Sequence, residues 1–259
     1  MPARARADAT VLESVGVVGN GRLGTALARA LRAAGTRVVG PLGRSAERNA
    51  PLDAIVLCVP DAQIARAAAA YAGMAPFIGH TSGATPLTAL DASAEGLFGL
   101  HPLQTFVGGD TPERFDGVAC AIAGSTTEAL GTARRLAGML GMQAFEISDA
   151  NRAAYHAAAC IASNFLMTLE DAAEQIARGA GIDATTAHDM LVPLVEASVE
   201  NWAAHGPRSA LTGPVARGDQ GTVARQRVAV GQVAPELLAL FDVLVERTQA
   251  LAGRPEAAE

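Results

Sequence analysis

The chain has 259 residues, 50% of them hydrophobic, 18% charged and 4% aromatic, with a net charge of −6, a length that suits one large or two modest globular domains. A pI near 5.4 and so few aromatic rings remove the electrostatic footprint and the stacking platforms that nucleic-acid binding needs. No apolar run approaches the ~18 residues that would span a bilayer. All 20 basic residues are arginine, so no lysine acid, base or Schiff base is open to any mechanism.

In chain order, the opening MPARARADAT is Arg-rich, lacks the apolar segment of a secretory signal and contains Asp8. Residues 1–13 therefore read as a disordered tail, and a cytoplasmic protein is expected. From Ser14 to Ser148 short apolar runs alternate with Ala/Leu-rich stretches, which predicts an α/β domain: a parallel sheet covered by helices over residues 14–148. The expected strands are Val15–Val18, Arg37–Val39, Ala54–Val59, Phe77–His80, Gly96–Leu100, Val118–Ile122 and Gln143–Ile147. The first helix should run from about Gly21 to Ala34 and close at Gly35. After Ser148 the β signals stop, and residues 149–259 predict an all-α domain with helices over 151–180, 184–204 and 235–251. Gly206–Gly221, broken by glycine and proline, reads as a loop. The Ala-rich helical faces after Asn151 are too smooth for solvent and predict a homodimer. Cys58, Cys120 and Cys160 lie far apart without metal-ligand spacing, which predicts buried reduced thiols and no metal.

Immediately after the first strand stands GNGRLG, with Gly19, Gly21 and Gly24 in G-x-G-x-x-G spacing. Gly19 permits the tight turn, Gly21 lets the backbone approach a pyrophosphate, and Gly24 lets helix and strand pack closely. Asn20, Arg22 and Leu23 complete the loop, and the helix start supplies free N–H groups. An NAD site would place Asp or Glu about 20 residues further on. From Ser14 to Ala46 there is no carboxylate, and Arg44 and Ser45 stand where the acid would be. A guanidinium fork beside a hydroxyl suits a 2′-phosphate, so NADP is expected rather than NAD. Val59 and Pro60, closing the third strand, and Ser82, closing the fourth, are expected along the path towards the nicotinamide. Asp61 reads better as a helix cap.

Reduction by hydride also needs a proton donor and a stabiliser of developing charge. His188 and His205 occupy ordinary helix positions, whereas His80, His101 and His156 are better placed. His101 closes a strand and Pro102 fixes its backbone. His156 lies in YHAAACIASN, where Ser163 falls about 20° and Asn164 about 80° round a continuous helix. Tyr155, His156, Ser163 and Asn164 thus form a polar stripe, read either as facing a site or as a buried network. Arg217, in LTGPVARGD, could bind a substrate carboxylate bidentately, or could merely pair with Asp219, a candidate cap for a helix from Gln220.

GNGRLG, AIVLCVPD, HTSGA, GLHPLQTF, YHAAACIASN and LTGPVARGDQGT, in this order over nearly the whole chain, resemble NADP oxidoreductases that join a Rossmann-like domain to a C-terminal helical domain of unknown function. That group is similar to the 6-phosphogluconate dehydrogenase-like superfamily. The resemblance implies an N-terminal NADP-binding domain, a helical dimerisation domain, a site in the cleft between them, and for some members 2-dehydropantoate reductase activity of a second type. The helix lysine of related ketopantoate reductases and hydroxyacid dehydrogenases is missing, so their catalytic assignment does not carry over. The expectation is an NADPH-dependent reductase of a small 2-oxo acid, with His156 ahead of His101 as proton donor. The alternatives are an imine reductase or dehydrogenase of the pyrroline-5-carboxylate or prephenate type, and a non-catalytic NADP-binding sensor.

Overall fold

The computed structural model describes residues 12–43, 51–90, 92 and 94–253. The expected tail and the pair Arg44 and Ser45 lie outside these, apart from Leu12 and Glu13. Among the described residues no helix is long and apolar enough to cross a membrane. The chain divides into two compact units, one up to Ala162 and one from Ser163.

The first unit is built on strands β1 (Ser14–Val18), β2 (Arg37–Leu42), β3 (Ala54–Leu57), β4 (Phe77–His80), β5 (Gly96–Pro102), β6 (Ala119–Gly124) and β7 (Gln143–Glu146). They form one sheet in the order β2-β1-β3-β4-β5-β6-β7. Its helices are α1 (Arg22–Ala33), α2 (Ile64–Ala70), α3 (Thr127–Met139) and α4 (Arg152–Ala162). Side chains alternate across β3: Ala54 and Val56 join the core under α1 and α3, while Ile55 and Leu57 join the core under α2. Sequence runs that are apolar at every position become strands buried on both faces. Helix α1 buries Leu27 and Leu31, one turn apart. It closes as expected at Gly35, whose φ of +88° suits glycine alone.

All seven expected strands are present, but the sheet is not wholly parallel: β6 runs antiparallel to β5, and β7 follows β6. A parallel return needs a crossover, usually helical. The segment between β5 and β6 carries Gly108, Gly109 and Pro112 and forms only a 3-10 turn, Pro112–Phe115, so the chain re-enters reversed.

The second unit contains α5 (Asn164–Gly179), α6 (Ala184–Ser209), α7 (Gly213–Ala216), α8 (Gln220–Val233) and α9 (Leu238–Ala252). The helix expected over 151–180 is two helices, because Ser163 leaves helical geometry with φ −125° and ψ −72°. Helix α6 continues past Ala204 and kinks at Gly206, φ +73°. The expected Gly206–Gly221 loop is partly helical, holding the end of α6 and the short α7. Asp219 caps α8, accepting from the Thr222 N–H at 2.9 Å. The unit buries mainly small side chains, Ala172, Ala177, Ala187, Val230 and Ala234, and leaves Phe165, Met167, Leu194, Trp202 and Val228 more than half exposed.

Candidate functional site

The strands β1, β3, β4 and β5 are parallel and in register, Val18 opposite Leu57, Leu57 opposite His80 and His80 opposite Gly99. Their carboxyl ends form one edge, the edge at which open α/β sheets bind ligands. At β1 the chain turns through Gly19, φ +109°, where a Cβ would sit 2.1 Å from the Cys58 carbonyl oxygen. A Cβ on Gly24 would sit 2.0 Å from the Gly19 carbonyl oxygen. Both close approaches require glycine. Gly21 differs, since a Cβ there would meet nothing within 4 Å. It is the N-cap of α1, with no side chain capping the helix and no acid in the first turn. The helix start thus presents its N–H groups and dipole to open space. A cavity of about 240 Å³ adjoins it, lined by Asn20, Gly21, Arg22 and Arg29 among others. Arg29 is engaged with the Asp110 carbonyl at 2.9 Å, while Arg22 is exposed and Leu23 packs on the core. Glycine backbone, free helix start and an arginine fit a pyrophosphate.

Beyond β3, Val59 packs half-buried on the core and Pro60 is exposed. Pro60, not Asp61, takes the cap position of the turn Asp61–Gln63. The expected cap is absent because the Asp61 carboxylate instead accepts from Ser82 Oγ at 2.9 Å. Ser82 Oγ also accepts from the Ala84 and Thr85 N–H groups, so one hydroxyl folds the loop after β4 and ties it to the loop after β3. Thr81 donates to the Leu57 carbonyl. Cys58 and Cys160 are half-buried and only Cys120 is buried, all three free thiols, so burial of the cysteines is less complete than expected. Burial pushes the Cys58 thiol up to about 12, opposed by its hydrogen bond to Thr81.

Three histidines occupy this edge differently. His80 is fully buried and its Nδ1 accepts the Ser82 N–H at 3.2 Å. Burial first, then the Arg152 charge, hold it down to about 4, so it is a neutral strut for the loop. His101 Nδ1 lies 2.7 Å from the Tyr155 hydroxyl, the rings edge-to-face at 5.5 Å. Burial, then His156 and Arg152, hold His101 down to about 4. The His156 ring centroid lies 5.9 Å from that of His101, and its Nδ1 lies 3.8 Å from Cys160 Sγ. Both imidazoles close on Gly83, where a Cβ would stand 2.8 Å from His101 Nε2 and 2.7 Å from His156 Cδ2. Beneath them Arg152, without exposed surface, donates Nε to Asp149 at 2.8 Å and Nη1 to the Ser82 carbonyl at 3.3 Å. Its Nη2 is packed against Gly99, where a Cβ would stand 2.2 Å away.

The first unit therefore brings together His101, His156, Ser82 and the glycine loop along one sheet edge. Ser163 and Asn164 do not share the His156 face of one helix: the break at Ser163 ends α4, and Ser163 becomes the N-cap of α5 with Asn164 as its first residue. Arg217 is the exposed C-cap of α7. Tyr155 and Arg152 carry more of the site's geometry than their sequence signal suggested. The available hints were Tyr155 beside His156 and the Asp149/Arg152 spacing of three on a helix start.

The family model described as a domain of unknown function, DUF2520, matches residues 118–248, half of the chain, and the chain belongs to that family. No curated protein sequence matches it. Among solved structures it resembles BF3122 of Bacteroides fragilis, to which an NADP oxidoreductase activity is ascribed, with 20% identity, 92% and 98% of the two chains covered and a TM-score of 0.77. Protein TM1727 of Thermotoga maritima is similar, with 21% identity, coverages of 93% and 100% and a TM-score of 0.76. The 1-pyrroline-5-carboxylate reductase of Streptococcus pyogenes follows at 15% identity, coverages of 92% and 98% and a TM-score of 0.61. These likenesses establish the fold: an N-terminal Rossmann-like sheet domain followed by helices.

Proposed function

We propose that the chain is an NADPH-dependent reductase of a small carboxylate-bearing 2-oxo acid, with 2-dehydropantoate the first substrate to test. The observation that carries the reading is the shared edge: an uncapped glycine-rich helix start at β1 and two imidazoles meeting over Gly83 beyond β4 and β5. Bound NADPH would supply the hydride. Gly19, Asn20, Gly21, Arg22, Leu23 and Gly24 would hold its pyrophosphate, Arg44 and Ser45 its 2′-phosphate, and Val59, Pro60 and Ser82 the path to the nicotinamide.

His156 is the proton donor in this reading. His101, held neutral well below physiological pH, is poorly suited to give up a proton at pH 7, which supports the choice between the two. Arg217 is proposed as the substrate-carboxylate anchor, and Ser163 or Asn164 as the group orienting the substrate oxygen. A cytoplasmic homodimer formed through residues after Asn151 completes the reading, supported by the large apolar side chains that the second unit leaves exposed. A second reading, reduction of a cyclic imine, is favoured by the likeness in fold to the Streptococcus pyogenes reductase. Purified protein given NADPH and a panel of 2-oxo acids and cyclic imines separates them. Turnover of an oxo acid supports the first reading and turnover of an imine the second. Tight NADPH binding without any turnover points to a sensor.

A further inference from the structure

We propose that Tyr155 is a positioning residue: its hydroxyl donates to His101 Nδ1 and so fixes His101 as the tautomer protonated on Nε2, presenting that N–H over Gly83 to a substrate oxyanion. The tautomer follows from the free protein; the role at the oxyanion rests on the reductase reading above.

The hydroxyl lies 2.7 Å from His101 Nδ1, its one hydrogen bond among the described residues. If His101 donated instead, the phenol proton would be left without an acceptor in a half-buried position, at a desolvation cost. Burial pushes the phenol up to about 12, so it keeps its proton. The groups facing His101 are His156 and Arg152 from α4, His80 from β4 and Asp61 from the loop after β3. Burial and the neighbouring cations outweigh Asp61 and keep the imidazole neutral. Its Nδ1 lone pair is therefore available, and the tautomer is set by the partner that the other nitrogen finds. Tyr155 itself also packs against Phe145, edge-to-face at 5.8 Å.

Neutrality gives the two histidines different tasks. Bound NADPH would supply the hydride and become NADP+, the C–H bond it gives up matching the one the substrate carbon gains. The substrate oxygen would take the carbonyl π pair and a proton from His156. His101 keeps its own proton throughout and donates a hydrogen bond that strengthens as charge develops, the arrangement that favours the transition state over the ground state. Gly83 is the floor that lets Nε2 reach the substrate, since any side chain there would occupy the same space.

The test uses full-length protein with 15N-labelled histidine. Long-range proton–nitrogen spectra at pH 7 should show His101 neutral with its proton on Nε2, identified by its loss in His101→Gln. Tyr155→Phe keeps the ring against Phe145 and should convert that signal to a mixture of tautomers. An Nδ1–H form in the wild type, or an unchanged spectrum in Tyr155→Phe, would overturn the proposal whatever the substrate. With the oxo acid turned over in the panel, Tyr155→Phe should lower kcat by about 10-fold, as loss of one neutral hydrogen bond implies, leaving KM within about 2-fold. An equal loss in NADPH affinity, or a change in KM alone, would also overturn it. Absence of turnover in every panel member would count against the reductase reading, while the spectra still decide the tautomer.

Discussion

Arg152 and Asp149 form an ion pair, Nε to Oδ1 at 2.8 Å, in which the arginine side chain has no solvent exposure and the aspartate keeps 34% of its own. Asp149 Oδ2 also accepts the Leu87 N–H at 2.9 Å, so one carboxylate joins the start of α4 to the segment after β4. The guanidinium in turn reaches the Ser82 carbonyl and shapes the loop on which both imidazoles rest.

Asp149→Ala leaves that guanidinium buried without its counter-charge. Removing one partner of a buried pair costs about 3–5 kcal/mol, and the partial exposure of Asp149 puts the expected loss at the lower end. Urea unfolding at pH 7 measures it. A loss below about 1 kcal/mol, the range of a surface pair, would show that water reaches Arg152 readily.

The three glycines of the first loop should separate fold from binding. Gly24→Ala places a methyl 2.0 Å from the Gly19 carbonyl oxygen, so the turn must shift and the protein should lose stability. Gly21→Ala meets nothing within 4 Å and should leave the melting temperature within about 4 °C, since the preference for glycine over alanine at a helix N-cap and the entropy that alanine removes from the unfolded chain oppose each other. It should nonetheless weaken NADPH, because the methyl occupies the space a pyrophosphate would take. Unimpaired NADPH binding by Gly21→Ala would remove the pyrophosphate from this loop.

Discrimination between cofactors should lie at Arg44. NADPH should bind more tightly than NADH, and Arg44→Ala should weaken NADPH by about 1.5–3 kcal/mol, the range for hydrogen bonds to charged groups. NADH should be little affected. Equal loss for both cofactors, by calorimetry, would detach Arg44 from the 2′-phosphate.

Acid should destabilise the first unit through the buried His80 and the half-buried His101. His80 and His101 are held down to about 4 in the folded protein, whereas an unfolded histidine titrates near 6.5. Between those values the unfolded chain binds protons that the folded chain refuses, so stability is full above about pH 6.5 and falls towards pH 4. Each histidine contributes on the order of 3 kcal/mol to the fall. Unfolding free energies at pH 7, 5.5 and 4.5 give the slope, and His80→Gln should flatten part of it. A slope unchanged in that variant would assign the acid sensitivity to other groups.

The sheet was legible because strands buried on both faces are written as unbroken apolar runs, and Ala54–Leu57 can be read from composition alone. Reversal at β6 was not, since it depends on the route of the segment after Pro102 rather than on any residue within the strand. The break at Ser163 escaped for a related reason: Ala- and Leu-rich flanks favour helix on both sides, and Ser163, though of a residue type that caps helices, makes no capping hydrogen bond. His101 and His156 stood out as polar groups in apolar surroundings. Their partnership with Tyr155 and their shared contact with Gly83 are long-range, visible only once β4, β5 and α4 converge. Asp61 illustrates the limit of cap reasoning, because a nearby serine competed for its carboxylate and won.

The proton donor offers the sharpest test of the chemistry. His156 sits 5.9 Å from His101, with Nδ1 turned to Cys160, which leaves Nε2 free among the described residues to meet a substrate. His101 is engaged by Tyr155 and held neutral, so its loss should remove a hydrogen bond rather than a proton source. His156→Ala should accordingly lower kcat by about 10²–10⁴-fold, the range for general acid catalysis, while NADPH affinity stays within about 2-fold because the glycine loop is untouched. His101→Gln should lose less. If His156→Ala kept most of its activity while His101→Gln abolished it, the roles would be reversed, and the neutral state of His101 in the free protein would have to give way when substrate binds.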